Sequence, residues 1–166
     1  MKPKILTTAV LALLFLCSCQ AQVKPNKKTQ TKDQASNKKG KSDDIPYTIA
    51  QRYFVKNTVK PNSLKNPKIE TAEMFDEFFG AATVMGEGGR PTQIDFSKQF
   101  VIAVISGDTN YSTEIIPVSL KKGKDQIVFN YQIKVGEKLS FTIGPVLIII
   151  VDKSNKGKVT TKQQKN

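Results

Sequence analysis

Two unbroken apolar runs, Phe100 to Ile105 (FVIAVI) and Val146 to Val151 (VLIIIV), constrain this chain more than any other feature. Neither offers a polar side to water, so each must be covered on both faces. Both have strand length, which makes them central strands with material packed above and below. Between them, Gln126 to Val135 (QIVFNYQIKV) alternates cleanly: Ile127, Phe129, Tyr131, Ile133 and Val135 share one face, and Asn130, Gln132 and Lys134 share the other. Thr113 to Leu120 forms another strand, and Lys121 to Asp125 a turn. Gly136-Glu137 is expected to turn the chain into Leu139 to Ile143, and Gly144-Pro145 to break it before the last apolar run. Turns this short predict meander-like antiparallel pairing.

Upstream, Thr48 to Lys56 (TIAQRYFVK) reads as a strand, and 57–68, with Pro61 and Pro67, as a loop. One helix is expected over Ala72 to Phe79. Thr71 is placed to cap it, Glu73, Asp76 and Glu77 put negative charge towards its N-terminal half, and Met74, Phe75, Phe78 and Phe79 form an apolar face. Gly80 is the expected stop. Lys158 to Thr161 is expected to add a short last strand. The predicted fold class is α+β, mainly β: a small antiparallel β-sandwich or half-barrel of about six or seven strands with one helix.

The two ends read differently. Lys2 and Lys4 precede an apolar stretch, Ile5 to Leu16, that as a helix would reach only roughly 18 Å against a hydrocarbon core of about 30 Å. It reads as a secretory h-region. Leu16-Cys17-Ser18-Cys19 resembles a bacterial lipoprotein signal: small Ser18 suits the peptidase pocket, and the Cys19 thiol takes the lipid. Bulky Leu16 makes Cys17 the poorer candidate. The acyl chains of that class exceed the two-signal threshold for stable anchoring. Gln20 rather than Asp after the Cys favours the outer membrane, and no acidic run follows to favour surface export. The expected location is therefore the cell envelope, anchored by lipid in the outer membrane and facing the periplasm.

The formal net charge is +12, and residues 45–151 account for only +2 of it. Residues 19–44 carry seven Lys and three Asp, with Val23 the only large apolar residue in 20–44. Such a segment buries too little to offset its ordering entropy and is expected to be a tether of roughly 25–30 Å span. Its lysines lie near the anchor, where anionic lipid heads attract them. The basic residues lack interleaved aromatics, and the chain reads as exported, so no nucleic-acid partner is expected. The predicted organisation is a signal peptide over 1–18, a lipidated Cys and tether over 19–44, one β-rich domain over 45–162, and a frayed tail over 163–166.

Catalytic devices are scarce. The sequence has no His, which removes Ser-His-Asp and Cys-His arrangements and His-ligated metals, and its two Cys both lie in the first twenty residues. Gly86-Glu87-Gly88-Gly89 is followed by Arg90-Pro91-Thr92 and extended elements, not by the Lys-Ser/Thr and helix N-terminus of a phosphate loop. Asp76-Glu77 read as solvated helix residues, and Asp95 and Asp108 flank a strand at opposite ends, too far apart to share a reaction. Asp43-Asp44 alone cannot hold calcium. Ser97-Lys98 as turn neighbours make a weak dyad, and Asn110-Tyr111-Ser112 matches a glycosylation sequon that a bacterial lipoprotein does not use. No catalytic residue, cofactor or metal site is predicted. Two loops remain as recognition surfaces, Gly86 to Thr92 and Asp108 to Tyr111. Within them Arg90, Asp108, Asn110 and Tyr111 are the candidate partner-binding residues, Arg and Tyr being enriched at binding hot spots.

The segment Pro91 to Val104 (PTQIDFSKQFVIAV) resembles the P-x-(V/I)-D-F-S-K-x-x-V-I-A-V stretch of the PrcB-like domain, named after an accessory subunit of a bacterial surface protease complex. The resemblance spans residues 69–151 and is concentrated in Asp95 to Val104. The general plan is also similar to small Bacteroidota-type envelope lipoproteins. In place of the family's Gly-Gly-Tyr stands Gly107-Asp108-Thr109-Asn110-Tyr111-Ser112, which keeps one glycine and the Tyr. The resemblance implies a non-catalytic accessory role, with Asp95 capping a turn and Phe96 filling the core. The function expected is thus a lipid-anchored envelope protein that binds another envelope protein, as an accessory or regulatory subunit of a protease or envelope complex. The alternative is a structural lipoprotein that binds a glycan or cell-wall polymer, with Lys121, Lys122 and Lys124 meeting the anionic polymer.

Overall fold

The computed structural model describes residues 43–60 and 63–165. The expected signal peptide, Cys19 and most of the expected tether lie outside the described residues. The elements are β1 (Thr48–Ile49), β2 (Tyr53–Val55), β3 (Lys68–Ile69), α1 (Ala72–Phe78), β4 (Phe79–Ala81), β5 (Gln99–Ile105), β6 (Thr109–Lys122), β7 (Gln126–Ile143), β8 (Val146–Asp152) and β9 (Lys158–Gln163). Among the described residues the chain is mainly β with one helix, as its sequence predicts.

Among the described residues three open sheets form: β1-β8-β5-β3, β2-β4 and β6-β7-β9. The two apolar runs become β5 and β8, paired in register from Gln99↔Asp152 to Ile105↔Val146. They are covered on both faces, as their composition requires. On one face Phe100, Ile102, Val104, Leu147, Ile149 and Val151 pack against Ile115, Leu120, Ile127, Phe129 and Val159 of the β6-β7-β9 sheet. On the other, Val101, Ala103, Ile148 and Ile150 pack under Phe75 and Phe79. Among the described residues, nineteen buried side chains form the core and none is polar, so this interior is held by burial rather than by polar networks.

Strands β5 to β8 form one long ribbon. β5 and β8 are its base, β6 and β7 its outer half, and it folds over at Ser106–Asp108 and Gly144–Pro145 so that the outer half covers the base. The fold-over uses irregular pairing. Between Thr109↔Ile143 and Tyr111↔Lys138, and again between Tyr111↔Lys138 and Thr113↔Val135, β7 carries more residues than β6. Gly136-Glu137 is therefore a bulge inside a continuous strand and not the turn its composition suggests. The face that holds Ile127 and Phe129 at 0% exposure ends with Val135 60% exposed, just before the bulge.

Two further differences have physical causes. Thr48 to Lys56 does not run as one strand, because Arg52 sits at φ 64° and breaks it into β1 and β2. β9 pairs parallel to β7 rather than continuing a meander, with Gly157 at φ 139° in the preceding turn. The helix ends at Phe78, and Gly80 lies in β4, where its missing side chain makes room for the Phe54 ring; a Cβ there would stand 2.5 Å from that ring's Cζ.

The chain entering the domain joins both sheets. Ile45 N–H donates to the Leu120 carbonyl at 2.8 Å and Lys122 N–H to the Asp43 carbonyl at 2.8 Å, on the β6 edge. A few residues on, Thr48↔Ile150 and Ile49↔Ile149 pair on the β8 edge. Residues 43–50 thus stitch one side of the sandwich.

Candidate functional site

The first candidate loop follows β4. Val84 N–H donates to the Gly89 carbonyl at 2.9 Å, Gly89 N–H to the Gly86 carbonyl at 3.1 Å, and the Arg52 Nε to the Gly88 carbonyl at 2.6 Å. Gly86 and Gly88 take φ 105° and 70°, conformations that side chains resist. Gly89 is buried, and a Cβ on it would collide with the Val84 carbonyl. The loop is therefore built, not slack. It holds Val84 52% exposed and Met85 fully exposed at its tip, with Arg90 exposed beside it. Its base is fixed by Thr92, whose Oγ1 accepts from Gln51 N–H at 2.9 Å and whose carbonyl accepts from Tyr53 Oη at 2.8 Å. Burial, and secondarily Asp76, push the Tyr53 hydroxyl above its ordinary pKa, so it remains a donor there.

The second loop is the fold-over of the ribbon. Asp108 and Asn110 are exposed and Tyr111 is 43% exposed. Thr109 Oγ1 accepts from Tyr111 N–H at 3.2 Å and Thr113 Oγ1 donates to the Tyr111 carbonyl at 3.0 Å, which fixes the backbone around Tyr111. The irregular pairing sets Val135 and Phe141, 60% and 61% exposed, in the same stretch of ribbon. Sequence reading identified Asp108, Asn110 and Tyr111 but missed Val135 and Phe141 as exposed side chains, because how far the facing sheet covers a strand is not marked on the strand itself. Arg90 lies on a different element from Asp108, Asn110 and Tyr111, and no hydrogen bond or ion pair joins the two groups among the described residues.

The Asp95–Gln99 segment is structural. Asp95 Oδ1 accepts from Ser97 N–H at 3.0 Å and from Ser97 Oγ at 2.5 Å, and the Asp95 carbonyl accepts from Gln99 N–H at 2.8 Å. The Ser97 hydroxyl, its N–H, and then Lys98 hold the Asp95 carboxyl below its ordinary value. Phe96 packs on Phe75 with ring centroids 5.7 Å apart, and its carbonyl accepts from Lys153 Nζ at 2.5 Å. Asp152 is built in the same way on Ser154, which lowers its pKa too. Both are charged turn caps rather than proton donors.

Lys121 and Lys122 end β6, and Lys124 lies in the tight turn to β7, closed by Gly123 N–H to the Gln126 carbonyl at 2.7 Å. Asp125 shares the turn, and a backbone β-bridge sets Asp44 opposite Lys121, so acidic residues are interspersed with the lysines that an anionic polymer would meet. Among the described residues, no group of three Asp or Glu side chains comes together as metal ligands do.

One groove was invisible in the sequence because it is assembled from separate segments. It holds about 220 Å³ and lies between Val59–Lys60 and Ser63–Pro67 on one side, the Ala103–Ile105 end of β5, and Tyr131 and Thr161 of the facing sheet. Comparison of the chain with family models, with curated proteins and with solved structures finds no match.

Proposed function

We propose that this chain is a lipid-anchored cell-envelope protein whose β-rich domain is a non-catalytic binding module for another envelope protein, acting as an accessory subunit of a protease or similar complex. The observation that carries the reading is the ribbon's fold-over, where Tyr111, Val135 and Phe141 are exposed on hydrogen-bonded strands beside polar Asp108 and Asn110. Aromatic side chains held on rigid backbone lose little entropy on docking and supply large contact area. The lipid-signal residues Leu16 to Cys19 support the anchor, and the Asp95 to Val104 segment supports the accessory role.

The test is photocrosslinking of the full lipidated chain in its native envelope, with a photoreactive residue at position 111, 141 or 124. One adduct of defined mass is expected from positions 111 and 141 and not from 124. Equal labelling at all three, or none at 111 and 141, refutes the reading. A Cys19→Ala form that keeps the adduct after detergent extraction assigns binding to the domain; one that loses it assigns binding to membrane placement.

A further inference from the structure

The sandwich has two long sides, and they are finished differently. Residues 43–50 stitch the β6/β8 side. The opposite side is bounded by β3 and β9, and β3 is only two residues long, pairing Lys68↔Ile102 and Ile69↔Val101. The last bond of that edge is Ala103 N–H to the Pro67 carbonyl at 2.9 Å. On the β3 side, β5 runs on to Ile105 without a paired strand among the described residues. Along a strand, N–H groups alternate sides. Ser106 N–H donates to the Pro145 carbonyl on the β8 side, so Ile105 N–H points with that of Ala103, to the open side. No backbone acceptor among the described residues meets it. A strand edge of this kind is a template for another strand.

The open edge forms a wall of the groove, and the groove's chemistry selects what would pair there. Lys60 and Lys65 stand on its rim, and neither makes an ion pair with a described residue. Leu64 and Val104 give it apolar lining, and Tyr131 and Thr161 bring hydroxyl-bearing side chains to the far wall. Among the described residues, no acidic one lines it. We infer that this groove docks an extended acidic segment of a partner protein, which adds to β5 at Ile105 as a short strand and sets its carboxylates against Lys60 and Lys65. Charge rules out the chain's own tether as occupant, because residues 19–44 carry seven Lys against three Asp. The inference goes beyond the binding role of the fold-over: it uses other residues and does not depend on the lipid anchor.

The test uses the full chain in detergent micelles and a fluorescent hexapeptide of alternating glutamate and valine, followed by anisotropy. Three comparisons decide it. The Lys60→Glu/Lys65→Glu variant is expected to bind about tenfold more weakly, a difference of about 1.4 kcal/mol. Methylating the peptide's alternate backbone nitrogens is expected to weaken it comparably, because the charge stays while the edge bonds go. A lysine-valine peptide is expected not to bind. Equal binding of the methylated peptide, equal binding of the basic peptide, or no saturable binding overturns the inference. So does self-association of the chain that the same two substitutions abolish, which would make a second copy the occupant. Photocrosslinking from position 111 in the Lys60→Glu/Lys65→Glu chain separates this site from the fold-over: its adduct is expected to persist.

Discussion

Replacing Gly89 with Ala asks whether the 84–90 loop is a preformed element. The new Cβ meets the Val84 carbonyl, which is backbone and cannot swing aside, and comes 3.0 Å from the Gly86 carbonyl oxygen. The turn must open, and three hydrogen bonds depend on it: Val84 N–H to Gly89, Gly89 N–H to Gly86, and Arg52 Nε to Gly88. Each contributes a net stabilisation of about 0.5–1.5 kcal/mol, with exposed examples at the low end. Losing all three costs about 1.5 kcal/mol, roughly 4–8 °C in Tm for a domain of this size. Gly107→Ala is the internal control. Nothing lies within 4 Å of a Cβ there and its φ is not left-handed, so that change is expected to be neutral or to stabilise by about 0.4–1 kcal/mol through the unfolded chain. The assay is urea unfolding of both variants with hydrogen exchange at the Val84 and Gly89 amides. If Gly89→Ala falls within about 0.5 kcal/mol of Gly107→Ala, or leaves the Val84 amide as protected as before, the loop is not held by these contacts and the reasoning fails.

Two other outcomes follow from burial and charge. Phe129→Ala, at a residue 0% exposed between the two sheets, is expected to cost about 3–5 kcal/mol, whereas Phe141→Ala, at 61% exposure, should change stability by less than about 0.5 kcal/mol in the same denaturation series; comparable losses would place Phe141 in a core. Asp95 has its carboxyl held below the ordinary value of 3.8, chiefly by the Ser97 hydroxyl, so the contribution it makes to stability is complete above that value and disappears as pH falls through the lower folded-state pKa; the gap in unfolding free energy between Asp95→Ala and the parent should therefore be flat from neutral pH down to about pH 5 and close below pH 4, and a gap that widens on acidification would reverse the assignment.

The parts of this fold legible in the sequence are those whose signal is local. FVIAVI and VLIIIV can be satisfied only by burial on both faces, and β5 and β8 obtain it. Thr71 reads as a cap and accepts from Met74 N–H at 3.2 Å. The parts that escaped depend on a neighbour. A glycine in an alternating run fits a turn or a bulge equally well, and the close approach of Ser112, 3.4 Å from where a Gly136 Cβ would be, belongs to the bulge. Arg52 carries no local mark of its left-handed backbone, which goes with bonds to Ala82 and Gly88 from another part of the chain. The two candidate loops were visible as glycine-rich and polar breaks between apolar segments. The groove was not, because Lys65, Ile105, Tyr131 and Thr161 are brought together only by the closing of one sheet over the other.

The ribbon from Gln99 to Asp152 also sets an order of assembly. Its pairs are nested around the turn at Gly123–Asp125, from Lys122↔Ile127 outwards to Gln99↔Asp152. Each pair formed brings the next within reach, so the entropy of closing a long loop is met in small increments. Despite a widest pair that spans the whole ribbon, assembly can proceed as a zipper from that turn. The irregular pairing at Tyr111 and Lys138 interrupts the ladder between its two halves, which pack on each other in the core. The stretch that carries the candidate recognition residues is thus also the hinge on which the core is completed.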